Sequence, residues 1–211
     1  MIFSLKRYLD YSFLKVQALV LLALGQRRQA LSRFDRILVL LPMDRYALAS
    51  RAHVLAQLNR FDDAIVSLQQ LSRVTGTPAQ QAAAWFNLGY VLQQNGRHAQ
   101  ARPAFEKAVE HHPCMDRAWY GLALVLIHQG QFHEARQALK ETTRLQPMSP
   151  YGWYRLAEVN LALDEPEKAC QVIEHLRQFE PRVAAQLEHD IGLSVHLHAN
   201  NQHGPRCDAA G

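Results

Sequence analysis

Trp85, Trp119 and Trp153 stand 34 residues apart, and Pro113, Pro147 and Pro181 repeat the same interval. A shared period in two residue types constrains the fold more than any local pattern, because self-similarity at roughly 20 to 50 residues marks a chain built by stacking copies of one supersecondary unit. With the residue three before each Trp as position 1, position 20 is Ala101, Ala135 and Ala169, and position 32 is the proline.

Each period divides in two. Position 15 holds Gly25, Asn59, Gly96, Gly130 and Asp164, residue types that tolerate left-handed backbone where a helix ends. A turn there separates a helix A, positions 1–14, from a helix B, about positions 17–29, and small residues at positions 8 and 20 let the two axes approach closely. The proline at position 32 cannot continue helix B. Pro103 falls inside the third helix B, where a local kink is expected. No segment alternates in the manner of a strand, so the chain reads as all-α.

The stretch "AWFNLGYVLQQNGRHAQARPAFEKAVEHHP", residues 84–113, resembles the tetratricopeptide repeat, a helix-turn-helix unit with the signature W-x2-L-G-x2-Y, A-x3-F, A, P. Trp85, Leu88, Gly89, Ala101, Phe105, Ala108 and Pro113 match, with Leu92 where the family prefers Tyr. The resemblance implies a right-handed α-solenoid of five repeats, at 11–44, 45–81, 82–115, 116–149 and 150–183. Residues 1–10 then form an N-terminal extension, 184–199 a capping helix, and 200–211 a flexible tail. The first repeat lacks the Trp, and the second loses register in "RVTGTPAQ", where three extra residues lengthen the connection. In the fourth and fifth, Leu139 and Ile173 replace the Phe.

A net charge of +4 from 23 basic and 19 acidic residues is too small to indicate nucleic acid by itself. Cys114, Cys170 and Cys207 lie far apart and leave one unpaired under any scheme, so a disulfide framework is not expected and a reducing compartment fits. The apolar run Val16 to Leu24 is interrupted at Gln17 and falls short of the roughly 18 residues that a spanning helix needs. The expected location is cytoplasmic, the alternative being export or membrane association through this N-terminal stretch.

No phosphate loop, nucleophile elbow, zinc-protease motif or C-x-x-C pair is present. The chain is therefore expected to have no catalytic residues, no metal and no cofactor. "HHPC" at 111–114 collects metal-type ligands but reads as a solvated loop, and His196 and His198 as surface residues.

On each helix A, positions 2, 5, 9 and 12 form a stripe rotated from the packing stripe at 4, 8 and 11. In the family this stripe lines the concave groove. Here it places Lys15, Tyr46, His53, Phe86, Tyr90, Arg117, Tyr120, Tyr151 and Tyr154 as candidates for binding a peptide, and five of the chain's seven tyrosines are in it. The three Trp occupy packing position 4, so the buried slots are expected to take Trp and the groove Tyr. Some family members hold a peptide carboxylate in a clamp of Lys, Asn and Arg side chains. Asn87 and Arg117 match that pattern, whereas Ala49, His53 and Gly121 stand where Lys, Asn and Arg are needed, so the clamp is incomplete.

The expected function is a scaffold that binds a segment of another protein, with no membrane span. Nucleic acid is not an expected partner, although "GQRRQALSRFDR" makes the first helix B basic through Arg27, Arg28, Arg33 and Arg36 and keeps a nucleic-acid or regulatory module as the alternative. An accessory role in a multi-protein enzyme is a further alternative.

Overall fold

The computed structural model describes residues 2–199, with side chains over 8–192. These residues form eleven α-helices and no strand. They are α1 (Ile2–Ala23), α2 (Arg27–Leu40), α3 (Arg45–Gln57), α4 (Phe61–Arg73), α5 (Pro78–Gln94), α6 (His98–His111), α7 (Asp116–His128), α8 (Phe132–Leu145), α9 (Pro150–Ala162), α10 (Pro166–Arg177) and α11 (Pro181–Ala199). The chain divides into two compact units after Pro113. In the first, each of α1 to α5 packs on the next helix; in the second, α7 to α10 do the same and α11 returns to touch α9.

The turns inside the hairpins share one construction. Gly25, Asn59, Gly96, Gly130 and Asp164 all have φ between 58° and 72°. In the first, Gln26 N–H donates to the Leu21 carbonyl at 2.8 Å and Gly25 N–H to the Leu22 carbonyl at 3.0 Å. This pair of bonds is the Schellman motif, which satisfies carbonyls orphaned at a helix end. The same pair recurs at Arg60 and Asn59, Arg97 and Gly96, Gln131 and Gly130, and Glu165 and Asp164. The residue after each left-handed position is also the N-cap of the following helix, and none of these caps uses its side chain. The geometry of the hairpin is thus set by how helix A ends.

Small residues mark where the helices of a hairpin touch. Ala18, Ala52, Ala123 and Ala157 on the A helices, and Ala30, Ala64, Ala101, Ala135 and Ala169 on the B helices, are all buried. Phe34, Leu68, Phe105, Leu139 and Ile173 fill the space beside them. A Cβ on Gly89 would lie 2.9 Å from Cδ1 of Phe105, so α5 and α6 meet at a distance that only glycine permits.

The lengthened second connection is an ordered piece of structure. Thr77 and Gln80 form a reciprocal capping box with Pro78 in the first turn, so α5 begins a turn early and uses part of the insertion as helix. Arg45 fastens the remainder: its guanidinium donates to the carbonyls of Val74 at 2.7 Å and Gln80 at 2.9 Å, and Gln81 Nε2 also donates to Val74 at 2.9 Å. α6 runs through Pro103, which has no N–H to offer the carbonyl of Ala99.

The tryptophans correct one expectation. None of the three is wholly buried. The indole is large and keeps part of its surface on the outside of the hairpin. There Trp153 Nε1 donates to the Pro147 carbonyl at 2.8 Å, and Lys107 Nζ sits 4.4 Å from the centre of the Trp85 ring.

Candidate functional site

In the first unit the candidate side chains form two groups. Around the start of α3, Lys15 Nζ lies 4.3 Å from the Tyr46 ring and 5.9 Å from the Tyr11 ring, so α1 lends a cation to two aromatic faces. Tyr46 is braced edge-on by buried Phe34 at 6.1 Å. Tyr11 donates its hydroxyl to Asp44, the residue whose other oxygen caps α3 through Ala47 N–H at 2.7 Å. Burial, and then the Asp44 carboxylate, raise the Tyr11 pKa. Lys15 and Tyr46 are therefore held together, half-buried. His53 is exposed further along α3, its Nε2 2.9 Å from Gln57, whose Oε1 accepts from Arg27 Nε at 2.7 Å.

The second group stands on α5. Phe86 lies 6.0 Å from the buried Phe105 ring on one side and stacks with Tyr90 at 6.3 Å on the other. Tyr90 is 50% exposed. Asn87, between them in sequence, is exposed. The three rings form a column from the core to the surface, rooted where Gly89 lets α6 come close.

In the second unit, Tyr151 is 71% exposed at the first turn of α9. Tyr154, one turn on, is half-buried, and its hydroxyl donates to Asp190 Oδ2 on α11 at 2.6 Å. That hydrogen bond, assisted by burial and the negative charge, pushes the Tyr154 pKa up to about 12. The same bond, with a second from Gln186, holds the Asp190 carboxyl below its usual range. Arg155 pairs with Glu158 at 2.7 Å and also bonds half-buried Tyr120. Arg117 is exposed at the start of α7.

The sequence places Tyr154 among the groove candidates, and in the structure its hydroxyl is bonded to Asp190 on α11. The period could show that a sixth helix follows, whereas Asp190 lies beyond the repeated positions and gives no periodic signal. The bonds from Tyr11 to Asp44 and between Arg155 and Tyr120 were likewise missed, since each joins residues more than thirty positions apart. Of the basic residues on α2, Arg28 and Arg36 are exposed, while Arg27 is engaged with Gln57. Cys170 on α10 is disulfide-bonded and Cys114 is free and exposed. The side chains of His196, His198 and Cys207, and the whole of 200–211, lie outside the described residues. Among the described residues no helix is long and apolar enough to cross a membrane, and no group of three or more His, Cys, Asp or Glu is placed to hold a metal.

Tetratricopeptide repeat models match residues 16–73, 51–113 and 92–154. The chain belongs to the tetratricopeptide repeat family. A MamA double mutant, "MamA RS-1 ArsTM", superimposes with a TM-score of 0.74 at 19% identity over 82% of this chain and 96% of that one. A second MamA crystal structure gives 0.73 at 16% identity over 93% and 98%. YrrB, described as a TPR protein with an unusual peptide-binding site, gives 0.69 at 19% identity over 81% and 88%. At these identities the likeness shows the fold, an all-α solenoid of helical repeats. No curated protein matches the chain by sequence.

Proposed function

We propose that this tetratricopeptide repeat protein is a non-catalytic scaffold that holds an extended or helical segment of a partner protein against the exposed faces of its A helices. The repeats are taken as five, over 11–183, with 184–199 as the cap. The observation that carries the reading is the Phe105–Phe86–Tyr90 column. An aromatic side chain half in water, yet oriented by a buried ring behind it, offers apolar area with little entropy left to lose. Tyr151 offers a second exposed aromatic in the other unit. His53 and Arg117, on the stripe of their own A helices, and Asn87, beside it on α5, are exposed polar groups suited to a peptide backbone or an acidic end. Lys15 and Tyr46 in the first unit, and Tyr120 and Tyr154 in the second, are held by neighbours and serve as walls of the face on their own unit.

The test replaces Tyr90 and Tyr151 by Ala together and measures retention of the protein partner from a lysate of the source cell. Interface aromatics of this kind are worth about 2 kcal/mol or more each, so retention falls by well over tenfold while helicity is unchanged. The comparison variant is Arg28→Glu with Arg36→Glu on α2. If that pair abolishes retention and the tyrosine pair does not, recognition runs through the basic helix and the reading is wrong.

A further inference from the structure

On α1 the apolar side chains Leu9, Phe13, Val16 and Val20, continued by Leu24 just past its end, recur at helical spacing and are 52–65% exposed. Tyr8 stands beside them, also exposed. The opposite face of the helix buries Leu14 and Ala18. A helix at a protein surface normally turns charged residues to water, but the only charged residue among the exposed described side chains of α1 is Asp10. Contiguous exposed apolar surface of this extent marks a face that meets something other than water.

Charge indicates what it meets. Residues 1–41 contain Lys6, Arg7, Lys15, Arg27, Arg28, Arg33 and Arg36 against Asp10 and Asp35, a net +5, while the whole chain is +4. The remainder is therefore net −1, and the entire basic excess lies in the first helical hairpin. A second copy docked face to face would bring two such hairpins together against their mutual repulsion. A surface that is apolar beneath and anionic above satisfies both features at once.

We propose that α1 lies flat on an anionic membrane surface, with Leu9, Phe13, Val16, Val20 and Leu24 entering the boundary between headgroups and acyl chains. The exposed Arg28 and Arg36 of α2 pair with the lipid phosphates. Stable interfacial binding takes two signals, and here one is the apolar stripe and the other the cluster of basic residues. The helix lies on the bilayer and does not cross it. This mode leaves the Phe86–Tyr90 column on α5 unused, so it stands or falls apart from the scaffold reading.

The experiment is flotation of the full chain with vesicles of phosphatidylglycerol and phosphatidylcholine, compared with phosphatidylcholine alone, at low and high salt. The wild-type protein floats with the anionic vesicles only, and less at high salt. Two variants remove one signal each: Phe13→Gln with Val20→Gln, and Arg28→Glu with Arg36→Glu. All four side chains are exposed, so circular dichroism stays that of the wild type while binding falls about tenfold or more in each. The proposal is overturned if the wild type floats with neither vesicle, or if neither variant weakens flotation. It is equally overturned if sedimentation equilibrium finds a dimer that Phe13→Gln with Val20→Gln converts to monomer, since a second copy then covers the face.

Discussion

Gly89→Ala sets two effects of known sign against each other. In a helix interior the change from Gly to Ala is favourable by about 1 kcal/mol, because the unfolded chain loses freedom and the helix gains nothing it must bury. Here the added methyl meets the Phe105 ring at 2.9 Å from Cδ1 and 3.0 Å from Cε1 and Cγ. A ring offered broadside cannot yield as the tip of a flexible chain can. Phe105 is 1% exposed and has Phe86 on its other side at 6.0 Å, so the helices must separate or the ring must leave its rotamer. Overpacking of that kind costs about 1 to 3 kcal/mol, which outweighs the helix gain and leaves a net loss of about 1 kcal/mol. Urea unfolding followed by far-ultraviolet circular dichroism measures it. In a Phe105→Leu background, where the ring is gone, the methyl is tolerated and Gly89→Ala becomes neutral or stabilising, a coupling of about 1 kcal/mol or more. A stability gain from Gly89→Ala alone, in the otherwise unchanged protein, refutes the close approach of α5 and α6.

Ala101→Leu puts bulk into the same hairpin at a fully buried position and lowers the stability by about 1 to 3 kcal/mol in the same urea assay; an unchanged midpoint means that the hairpin register is wrong. Gly130→Ala meets no atom within 4 Å, so its cost comes only from φ +71°, about 1 to 2 kcal/mol, read as a lower melting midpoint. Tyr154 titrates near pH 12 because its bond to Asp190 favours the neutral phenol, and ultraviolet difference titration of wild type against Tyr154→Phe detects it. Its folded pKa lies above the ordinary value of 10, so its contribution to stability is complete below pH 10 and is lost as pH rises through 12. The same substitution raises the Asp190 pKa toward 3.8, which narrows the acid range in which that carboxylate stabilises the fold.

The repeat was legible because it rests on local steric demands. A left-handed residue at position 15 and small residues at positions 8 and 20 are required wherever two helices fold back closely, and each requirement selects a short list of residue types. Asn59 and Asp164, which are not glycine, nevertheless adopt φ 58° at their expected places. The site was less legible. The stripe on helix A identifies which residues can face outward, but whether a tyrosine hydroxyl is free depends on partners such as Asp190, 36 residues away and outside the period. Trp was misjudged for a related reason: position 4 faces the neighbouring helix, yet each indole stays part-exposed, that of Trp153 with its N–H on the Pro147 carbonyl. The exposure of α1 could not be read at all, because an apolar helix in a repeat array has the same sequence whether a neighbour covers it or not.

Site-specific photocrosslinking in the source cell tests the scaffold reading most directly, with benzoylphenylalanine at position 90, at position 151, or, for comparison, at position 28 on α2. The expected result is that positions 90 and 151, one on each unit, each capture a partner protein and that position 28 does not. Capture of a partner at position 28, with none at positions 90 and 151, contradicts binding on the A-helix face.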